Sequence, residues 1–483
     1  MRDQPTAPTT ALSGHRLSRR RLVQAAGLTA VAASAGTALG SPARADSPGT
    51  NRDVIVVGAG YAGVTAAREL RARGFRPVIL EARSRIGGRT WTTTFEGKQV
   101  ELGAQWIGPT QPLVNAEVRR YGLSTLTGSI PSRLLMPSLS GPAAVDLESG
   151  DARYGALMER LFAGARDLFP DPLNPLANRA AVVAADGLTL RDRLDQLGLT
   201  AEERLWLSGT TAGYSGGDSR IGAYTALAHW WALAGYNVAG YDAAMSLRIS
   251  TGMTGLLQSM LNDAQAELHL RTAVASVTDT GGEVRVTTTA GVTYRAPWAV
   301  IAVPVNVWKT IAFRPGLAAV RAQASAQGVG VPHSNKIWMK VTGLPDRVAA
   351  RGTEGDPFTT LLSQGDVNGG QLMVAFNSLP PVDGTSVSAV QRALRYYLPE
   401  ASVTSVLAQN WGTDRYSLGG WALRRLGQLS TQQPAIQTPQ GRLAFASGDI
   451  ATGWIGFVEG AIESGLRAAG QVAAMGTPAL AAV

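Results

Sequence analysis

The sequence predicts an α/β fold, and three consecutive features of residues 54–81 carry that prediction. An apolar run, 54–57, is typical of a buried strand and ends at a glycine-rich turn, 58–63. A helical stretch rich in Ala, Arg and Glu follows, and a second apolar run, 77–80, ends at an acid, Glu81. Strand, glycine turn, helix, strand and acid form the order of a Rossmann-like βαβ unit.

The turn and the acid predict a bound dinucleotide. Three glycines permit a tight turn and the close approach of a pyrophosphate to the helix N-terminus, where free N–H groups and the helix dipole favour anions. Glu81 is placed to accept both hydroxyls of an adenosine ribose that carries no phosphate. The residues predicted to contact the dinucleotide are Gly58, Ala59, Gly60, Ala62, Gly63, Glu81, Ala82 and Arg83.

Chain length and composition predict two well-buried domains. The chain has 483 residues, of which 45% are hydrophobic and 16% charged. Dinucleotide-binding elements recur in three segments, 52–125, 246–305 and 408–475. We expect the intervening segments, 126–245 and 306–407, to form one α+β substrate domain inserted into this discontinuous domain.

The elements of the later segments are predicted from periodicity and turn signals. In the second segment we expect a helix, two strands, a hairpin and a further strand, at 255–266, 268–270, 273–277, 284–294 and 299–303. In the third segment we expect a strand and a helix, at 442–446 and 456–474. Outside these segments we expect mostly helix over 126–245 and strands at 336–341 and 372–376.

The N-terminus predicts export. Residues 1–45 hold six arginines and one acid, and without them the net charge of +9 falls to +4. The pair Arg19-Arg20, an Ala/Gly-rich stretch to Gly40 and the sequence 43–45 match a twin-arginine signal peptide. We expect a periplasmic or secreted protein that crosses the membrane folded and is not stably inserted; a basic tail or a membrane anchor is the alternative.

Composition excludes several chemistries. The absence of cysteine rules out disulfides, thiolate catalysis and a cysteinyl-linked cofactor. The four histidines lack metal-ligand spacing, so no metal site is predicted. No basic run interleaved with aromatics follows residue 45, so nucleic acid is not expected as a partner.

Two further motifs give the chain a resemblance to a known family. Residues 85–90 read R-I-G-G-R-T and residues 101–106 read E-L-G-A-Q-W. With the βαβ unit, they resemble the FAD-dependent amine oxidases, which include monoamine oxidases, polyamine oxidases and bacterial nicotine oxidoreductases; the bacterial monoamine and nicotine enzymes are most similar in character. The resemblance implies a FAD-binding domain of the glutathione-reductase type.

The resemblance also implies how FAD is held. Arg89 is expected to reach the phosphates, and 103–106 to run beside the isoalloxazine ring. Gly420 stands where some members attach the flavin through cysteine, so the FAD is expected to be noncovalent. The further FAD contacts implied are Gly88, Arg89, Thr90, Gly103, Ala104, Gln105, Trp106, Val274, Trp411, Gly448, Asp449 and Val458.

Lys336 is the predicted catalytic residue. It is one of four lysines among forty arginines, and in its strand Trp338 and Lys340 share its face. An exposed face with two solvated lysines is one interpretation. The family places a lysine at the start of this strand, hydrogen-bonded through water to flavin N5. A compact ammonium whose pKa falls on burial suits such a site better than a guanidinium does.

The resemblance assigns a substrate cage to Trp421 and Phe457, two walls that hold a neutral amine against the flavin. Monoamine oxidases typically have tyrosine at both positions, so this pocket is expected to be drier. The flavin-contacting acid, commonly Glu, is Asp449 here, as in some bacterial alkaloid oxidoreductases. Few acids flank the cage in sequence, which disfavours polyamines. No arginine follows Trp106 until Arg119, which disfavours amino acids.

The function predicted is FAD-dependent oxidation of a small amine by hydride transfer to flavin N5, giving an imine and then an aldehyde or ketone. Either O2, yielding hydrogen peroxide, or a redox carrier protein reoxidises the flavin. The alternatives are an L-amino-acid oxidase, a nicotine-like alkaloid oxidoreductase, a desaturase or porphyrinogen oxidase on the same fold, and a flavin-loaded binding protein without turnover. The identity of the amine and the choice between monomer and homodimer stay open.

Overall fold

A computed structural model describes residues 52–477 of the protein, so the predicted signal peptide at 1–45 lies outside the described residues. The strands are β1 (Val54–Val57), β2 (Pro77–Leu80), β3 (Thr92–Phe95), β4 (Lys98–Glu101), β5 (Thr125–Thr127), β6 (Arg133–Ser138), β7 (Gly141–Val145), β8 (Leu247–Ile249), β9 (Glu267–His269), β10 (Val274–Asp279), β11 (Val284–Thr288), β12 (Thr293–Ala296), β13 (Trp298–Ile301), β14 (Ala312–Arg314), β15 (Asn335–Thr342), β16 (Val348–Arg351), β17 (Thr360–Val367), β18 (Gly370–Asn377), β19 (Ser402–Asn410) and β20 (Leu443–Phe445).

The helices are α1 (Tyr61–Ala72), α2 (Pro112–Arg120), α3 (Leu147–Leu161), α4 (Ala165–Leu168), α5 (Arg179–Ala185), α6 (Leu190–Gln196), α7 (Ala201–Tyr214), α8 (Tyr224–Leu233), α9 (Val238–Ala243), α10 (Gly252–Ala264), α11 (Val305–Trp308), α12 (Ala319–Gln327), α13 (Val387–Arg395), α14 (Gln428–Gln432) and α15 (Val458–Met475). Short 3-10 turns lie at Ala435–Gln437 and Gly448–Ile450.

A five-stranded parallel sheet in the order β20-β13-β1-β2-β9 forms the predicted dinucleotide-binding unit. Its central strands are buried on both faces, which explains why they read as continuous apolar runs. The strands come from all three segments of the sequence to which that unit was assigned. The α/β fold with a parallel sheet is therefore confirmed.

Small residues let α1 and α15 pack closely against each other. A Cβ added to Gly465 in α15 would lie 2.5 Å from the carbonyl oxygen of Ala62 in α1. On its other side α1 contacts α10, whose apolar face, including Met253 and Leu257, joins the same buried cluster. This packing fixes the direction in which the α1 N-terminus points.

A seven-stranded sheet in the order β19-β15-β18-β17-β16-β6-β7 forms the second layer. The alternation predicted for 336–341 is confirmed: Ile337 and Met339 pack against Val390 and Leu394 of α13, whereas Trp338 lies in a separate cluster on the opposite face. The sheet is thus covered by α13 on one side and faces the active-site region on the other.

The region 126–245 contains the expected helices, α3 to α9, but also a hairpin that the periodicity did not indicate. In that hairpin β6 pairs with β7 and Pro137 lies opposite Pro142. The prolines and Gly141, whose φ is +111°, masked the strand signal. Two strands bear on the predicted domain limits at 305 and 407. Strand β14 lies after position 305 but pairs with β10 of the FAD-binding segment, and β19 begins before position 407 and ends after it. The limits themselves stay predictions.

None of the helices within 52–477 combines the length and the hydropathy needed to cross a membrane.

Candidate active site

The turn after β1 brings backbone segments closer together than a side chain would allow. Gly58 has a φ of +108°, and a Cβ there would lie 2.7 Å from the carbonyl oxygen of Ala302. A Cβ on Gly63 would lie 2.0 Å from the carbonyl oxygen of Gly58. Helix α1 starts without a side-chain cap at Gly60 and without an acid in its first turn. Its first N–H groups are therefore available to an anion.

Glu81 closes the turn from the end of β2. Its Oε2 accepts a hydrogen bond from the backbone N–H of Ala59, and its Oε1 accepts one from the N–H of Arg83, both at 2.8 Å. The side chain is buried and lies on the wall of a cavity that the βαβ turn also lines. These two bonds aim the carboxylate at the position predicted for the ribose.

Arg89 joins the R-I-G-G-R-T motif to the C-terminal segment. Its guanidinium donates to the carbonyl of Gly420 at 2.7 Å and to Oδ1 of Asp449 at 2.6 Å. The other oxygen of Asp449 accepts the N–H of Val305 at 2.9 Å. Arg89 lines the cavity, whereas Asp449 lies behind it. This carboxylate holds Arg89 in place, and the predicted contact of Asp449 with the flavin stays a prediction.

One cavity of about 1000 Å³ gathers most of the predicted site residues. Besides Lys336, Trp421 and Phe457, the predicted residues on its wall are Gly58, Gly60, Ala62, Glu81, Ala82, Arg83, Gly88, Arg89, Thr90, Gly103, Ala104, Gln105, Trp106, Val274, Trp411, Gly448 and Val458. Ala59, Gly63 and Asp449 lie behind the wall. Ala59 and Asp449 support lining residues by hydrogen bonds, and Gly63 allows the turn to close.

Lys336 is buried in the second position of β15, and only 3% of it is exposed. Its Nζ donates to the carbonyl of Gly103 at 3.0 Å and to Oε1 of Gln105 at 2.7 Å. The ammonium also lies 4.9 Å from the ring centre of Trp106. The interpretation of an exposed strand face is thus wrong for Lys336, although Lys340, further along the strand, is partly exposed and pairs with Glu96 at 3.1 Å.

The surroundings of Lys336 bring its pKa close to neutral pH. Burial lowers the pKa of Lys336 to about 7, against the opposing pull of the Glu101 carboxylate. Burial also raises the pKa of Glu101, whose Oε1 accepts bonds from Thr92 and Met253. A lysine with these properties exchanges a proton near pH 7, which an arginine could not do.

Trp421 and Phe457 both line the cavity and are held from behind by other aromatic residues. Nε1 of Trp421 donates to the carbonyl of Tyr214 at 3.0 Å. The ring of Phe457 meets Trp230 edge-on at 5.1 Å and Trp454 at 5.0 Å. Each ring is therefore fixed in orientation before any ligand enters.

The family model for flavin containing amine oxidoreductases matches residues 61–473. The chain belongs to this family. Pseudooxynicotine dehydrogenase from Pseudomonas sp is 35% identical over 87% of the chain and 86% of its own length. Nicotine dehydrogenase from Pseudomonas putida is 32% identical over 92% of the chain and 93% of its own length. The solved structure of wild-type putrescine oxidase bound to putrescine has the same fold, with a TM-score of 0.74, 22% identity and coverage of 88% of this chain and 99% of that one.

FAD is the cofactor of this amine oxidoreductase, and its residues fit that group. The uncapped α1 N-terminus suits the pyrophosphate, the buried carboxylate of Glu81 suits the ribose, and the cavity continues to Lys336 for the flavin ring. A Cβ on Gly420 would lie 2.4 Å from the Ser334 hydroxyl, so this position leaves no room for a larger side chain. Within 52–477 no cluster of three potential metal ligands occurs.

The far end of the cavity was not predicted from the sequence. It is lined by hydroxyl, aromatic and charged residues, namely Asp151, Tyr154, Thr210, Tyr214, Tyr241, Asp242 and Arg351. These residues come from the helices between α3 and α9 and from β16, where no motif marks them. Two acids and one arginine therefore reach the cavity from segments far from the cage in sequence, and the expectations against polyamines and amino acids stay predictions.

Proposed function

We propose that this amine oxidoreductase acts on pyridine-alkaloid-type amines, that is, secondary or tertiary amines that carry an aromatic ring. The observation that carries the proposal is one cavity that runs from the FAD-binding turn past Lys336 to the aromatic walls Trp421, Phe457 and Trp230. Such walls suit a flat apolar ring beside an amine. The names of the two relatives reported above, which concern pseudooxynicotine and nicotine, support the same class.

The reaction requires a neutral amine. The α-carbon loses a hydride with its electron pair, and the nitrogen loses its remaining proton or gains a positive charge as the C=N bond forms. Water then adds to the C=N bond, which breaks to a carbonyl compound and an amine. When bound, FAD supplies the two-electron acceptor for that hydride. The chain's own residues orient the amine, exclude water and handle the proton.

We assign the proton-handling role to Lys336. Its Nζ is anchored by Gly103 and Gln105 and lies on the cavity wall between the FAD-binding turn and the cage. Because its pKa lies near 7, it can hold or release a proton at neutral pH without a large free-energy change. Trp421 and Phe457 would place the α-carbon, and their lack of hydroxyl groups keeps the reacting end of the cavity dry.

For the electron acceptor, we propose a redox carrier protein ahead of O2. Two relatives are named dehydrogenases, which supports an acceptor other than oxygen. The test is to reduce the noncovalently bound FAD with substrate under nitrogen and then admit air. Slow recovery of oxidised flavin without hydrogen peroxide supports the carrier. Rapid recovery with stoichiometric peroxide contradicts it and assigns an oxidase.

We also propose twin-arginine export of the folded, FAD-loaded protein to the periplasm or outside the cell. The support is the pair Arg19-Arg20 ahead of a weakly apolar stretch. Changing both arginines to lysine should retain the protein in the cytoplasm, while the matched change Arg16→Lys should not. Export of the double variant, measured by fractionation of expressing cells, would contradict the proposal.

The substrate proposal is tested by turnover with a panel of amines and by identification of the carbonyl product. Nicotine and aryl-alkyl methylamines should be oxidised far faster than putrescine or L-leucine. Faster ammonia release from L-leucine than from the matching amine would instead establish an amino-acid oxidase. Preference for putrescine would move the chain to the polyamine class.

A further inference from the structure

Four residues form one row across the seven-stranded sheet and all line the cavity. Lys336 in β15 pairs with Phe376 in β18, Phe376 pairs with Thr360 in β17, and Thr360 pairs with Arg351 in β16. Directly opposed residues on neighbouring strands project from the same face of a sheet. The side chains of the row accordingly reach one cavity wall.

The row fixes the separation between its two basic residues. Lys336 and Arg351 are three inter-strand spacings apart, about 14 Å between their Cα atoms. Lys336 lies at one end of this row and Arg351 at the other. A substrate that lies along the row with its amine near Lys336 can therefore present a second polar group to Arg351.

We propose that Arg351 is a specificity-determining residue that donates hydrogen bonds to a neutral acceptor on the substrate, a ketone oxygen or an aromatic ring nitrogen, remote from the reacting amine. This inference rests on the proposed function and names a second recognition point of the same site. It concerns binding and positioning, and it places no step of the oxidation on Arg351.

The neighbours of Arg351 orient its guanidinium but leave most of its N–H groups without a hydrogen-bond acceptor in the described part of the chain. It lies over the ring of Tyr154, 4.1 Å from the ring centre, and among residues 52–477 its one hydrogen bond is a long one of 3.4 Å to the Tyr154 hydroxyl. That hydroxyl is already engaged with Thr210 at 2.5 Å. No carboxylate within 52–477 comes within ion-pair distance of Arg351. A stacked, planar guanidinium leaves its N–H edges directed outward to an acceptor.

The charges around Arg351 favour a neutral acceptor over a carboxylate. Asp151 and Asp242 line the same end of the cavity, so the group as a whole carries a net negative charge when both are ionised. Burial raises the pKa of Asp242, the charge of Arg351 opposes that rise, and the charge of Asp151 adds a smaller rise. Tyr154 also lies there, against Arg351, and burial raises the pKa of the phenols Tyr214 and Tyr241, which therefore stay neutral. An incoming carboxylate would meet both aspartates, whereas a ketone or pyridine would not be repelled.

The test uses a matched pair of substrates, an N-methyl phenylbutylamine and the same amine with a ketone beside the ring. The wild-type, FAD-loaded protein should show the higher kcat/KM for the ketone. In Arg351→Met this preference should shrink by roughly 10- to 100-fold, mainly through KM, because a charge-assisted hydrogen bond is lost. Arg347→Met, which removes an exposed arginine just before β16, should keep the wild-type preference.

Arg351→Lys keeps the charge but loses the planar donor fork, so it should retain only part of the preference for the ketone. This variant replaces Arg351→Met in the test if Arg351→Met fails to bind FAD. No preference for the ketone in the wild type, or full preference in either variant, would overturn the proposal while leaving amine oxidation intact. Arg351-dependent turnover of L-leucine would also overturn it, in favour of carboxylate binding. Turnover of neither amine by the wild type would instead contradict the proposed function itself.

Discussion

Nζ of Lys336 and Oε1 of Gln105 lie 2.7 Å apart, and Nε2 of Gln105 donates to Gln364 in β17 at 2.9 Å. The amide is thereby held with its oxygen towards the ammonium. This contact joins the loop after β4, which belongs to the FAD-binding segment, to two strands of the seven-stranded sheet. The lysine is consequently positioned from both layers of the protein.

The first prediction concerns the protonation of Lys336. Because the pKa of Lys336 is lowered to about 7, the rate of the flavin half-reaction it assists should change with an inflection near pH 7. Lys336→Met should lose the inflection and lower the rate by roughly 100-fold or more. Stopped-flow absorbance across the neutral pH range measures both. Lys340→Met, in the same strand but paired with Glu96 at the surface, is the control, and an inflection that survives in Lys336→Met would contradict the assignment.

A second prediction gives the sign of the Glu101 effect. The Glu101 carboxylate raises the pKa of Lys336 against the larger effect of burial. Glu101→Gln removes that charge, so the Lys336 ammonium becomes less stable and its pKa falls further. The inflection in the pH profile should move to lower pH. A shift to higher pH would show that the two groups do not interact as the structure implies.

A third prediction concerns the glycine turn. Gly63→Ala forces a methyl group against the carbonyl of Gly58, so the variant should lose about 3 kcal/mol or more of stability and bind FAD poorly. Gly470→Ala is the matched change in α15, where a Cβ meets open space, and it should raise stability by about 0.5–1 kcal/mol. Thermal unfolding and bound-FAD content distinguish the two. Equal FAD content in both variants would count against the turn as the pyrophosphate site.

A fourth prediction separates the shape of the cage from its hydrogen bond. Trp421→Ala removes one wall and should lower kcat/KM for aryl-alkyl amines by roughly 100-fold, because the α-carbon is no longer held in place. Trp421→Phe keeps a ring but leaves the carbonyl of Tyr214 without its donor, and it should cost less than about tenfold. Steady-state kinetics measures both. A larger loss in Trp421→Phe would show that the indole N–H matters more than the wall.

Local sequence patterns predicted the FAD-binding turn, because its residues lie close together in the sequence. The strand, turn, helix, strand and acid at 54–81 lie within one βαβ unit, so their arrangement follows from spacing. Lys336 could be selected as a site residue because alternation assigns it a face of β15 and because the family resemblance marks that position. The burial that lowers its pKa depends on the packing of the sheet, which the local sequence does not determine.

The far end of the site could not be predicted, because it depends on contacts between distant segments. Arg351 reaches the cavity through the registers of three strand pairs, and Tyr154 and Asp242 come from helices that no motif connects to it. Asp449 shows the same limit. The family resemblance implied a flavin contact for it, but no sequence pattern indicated its salt bridge to Arg89.

An aromatic, alkaloid-type amine should give its hydride to the FAD in this cavity. The most direct measurement is anaerobic mixing of the FAD-loaded protein with nicotine, an aryl-alkyl methylamine, putrescine or L-leucine, followed by absorbance at roughly 450 nm, where oxidised flavin absorbs. The aromatic amines should bleach the flavin in a single turnover, and the other two should do so far more slowly. Flavin that stays oxidised with both aromatic amines but is reduced by putrescine or L-leucine would contradict this expectation.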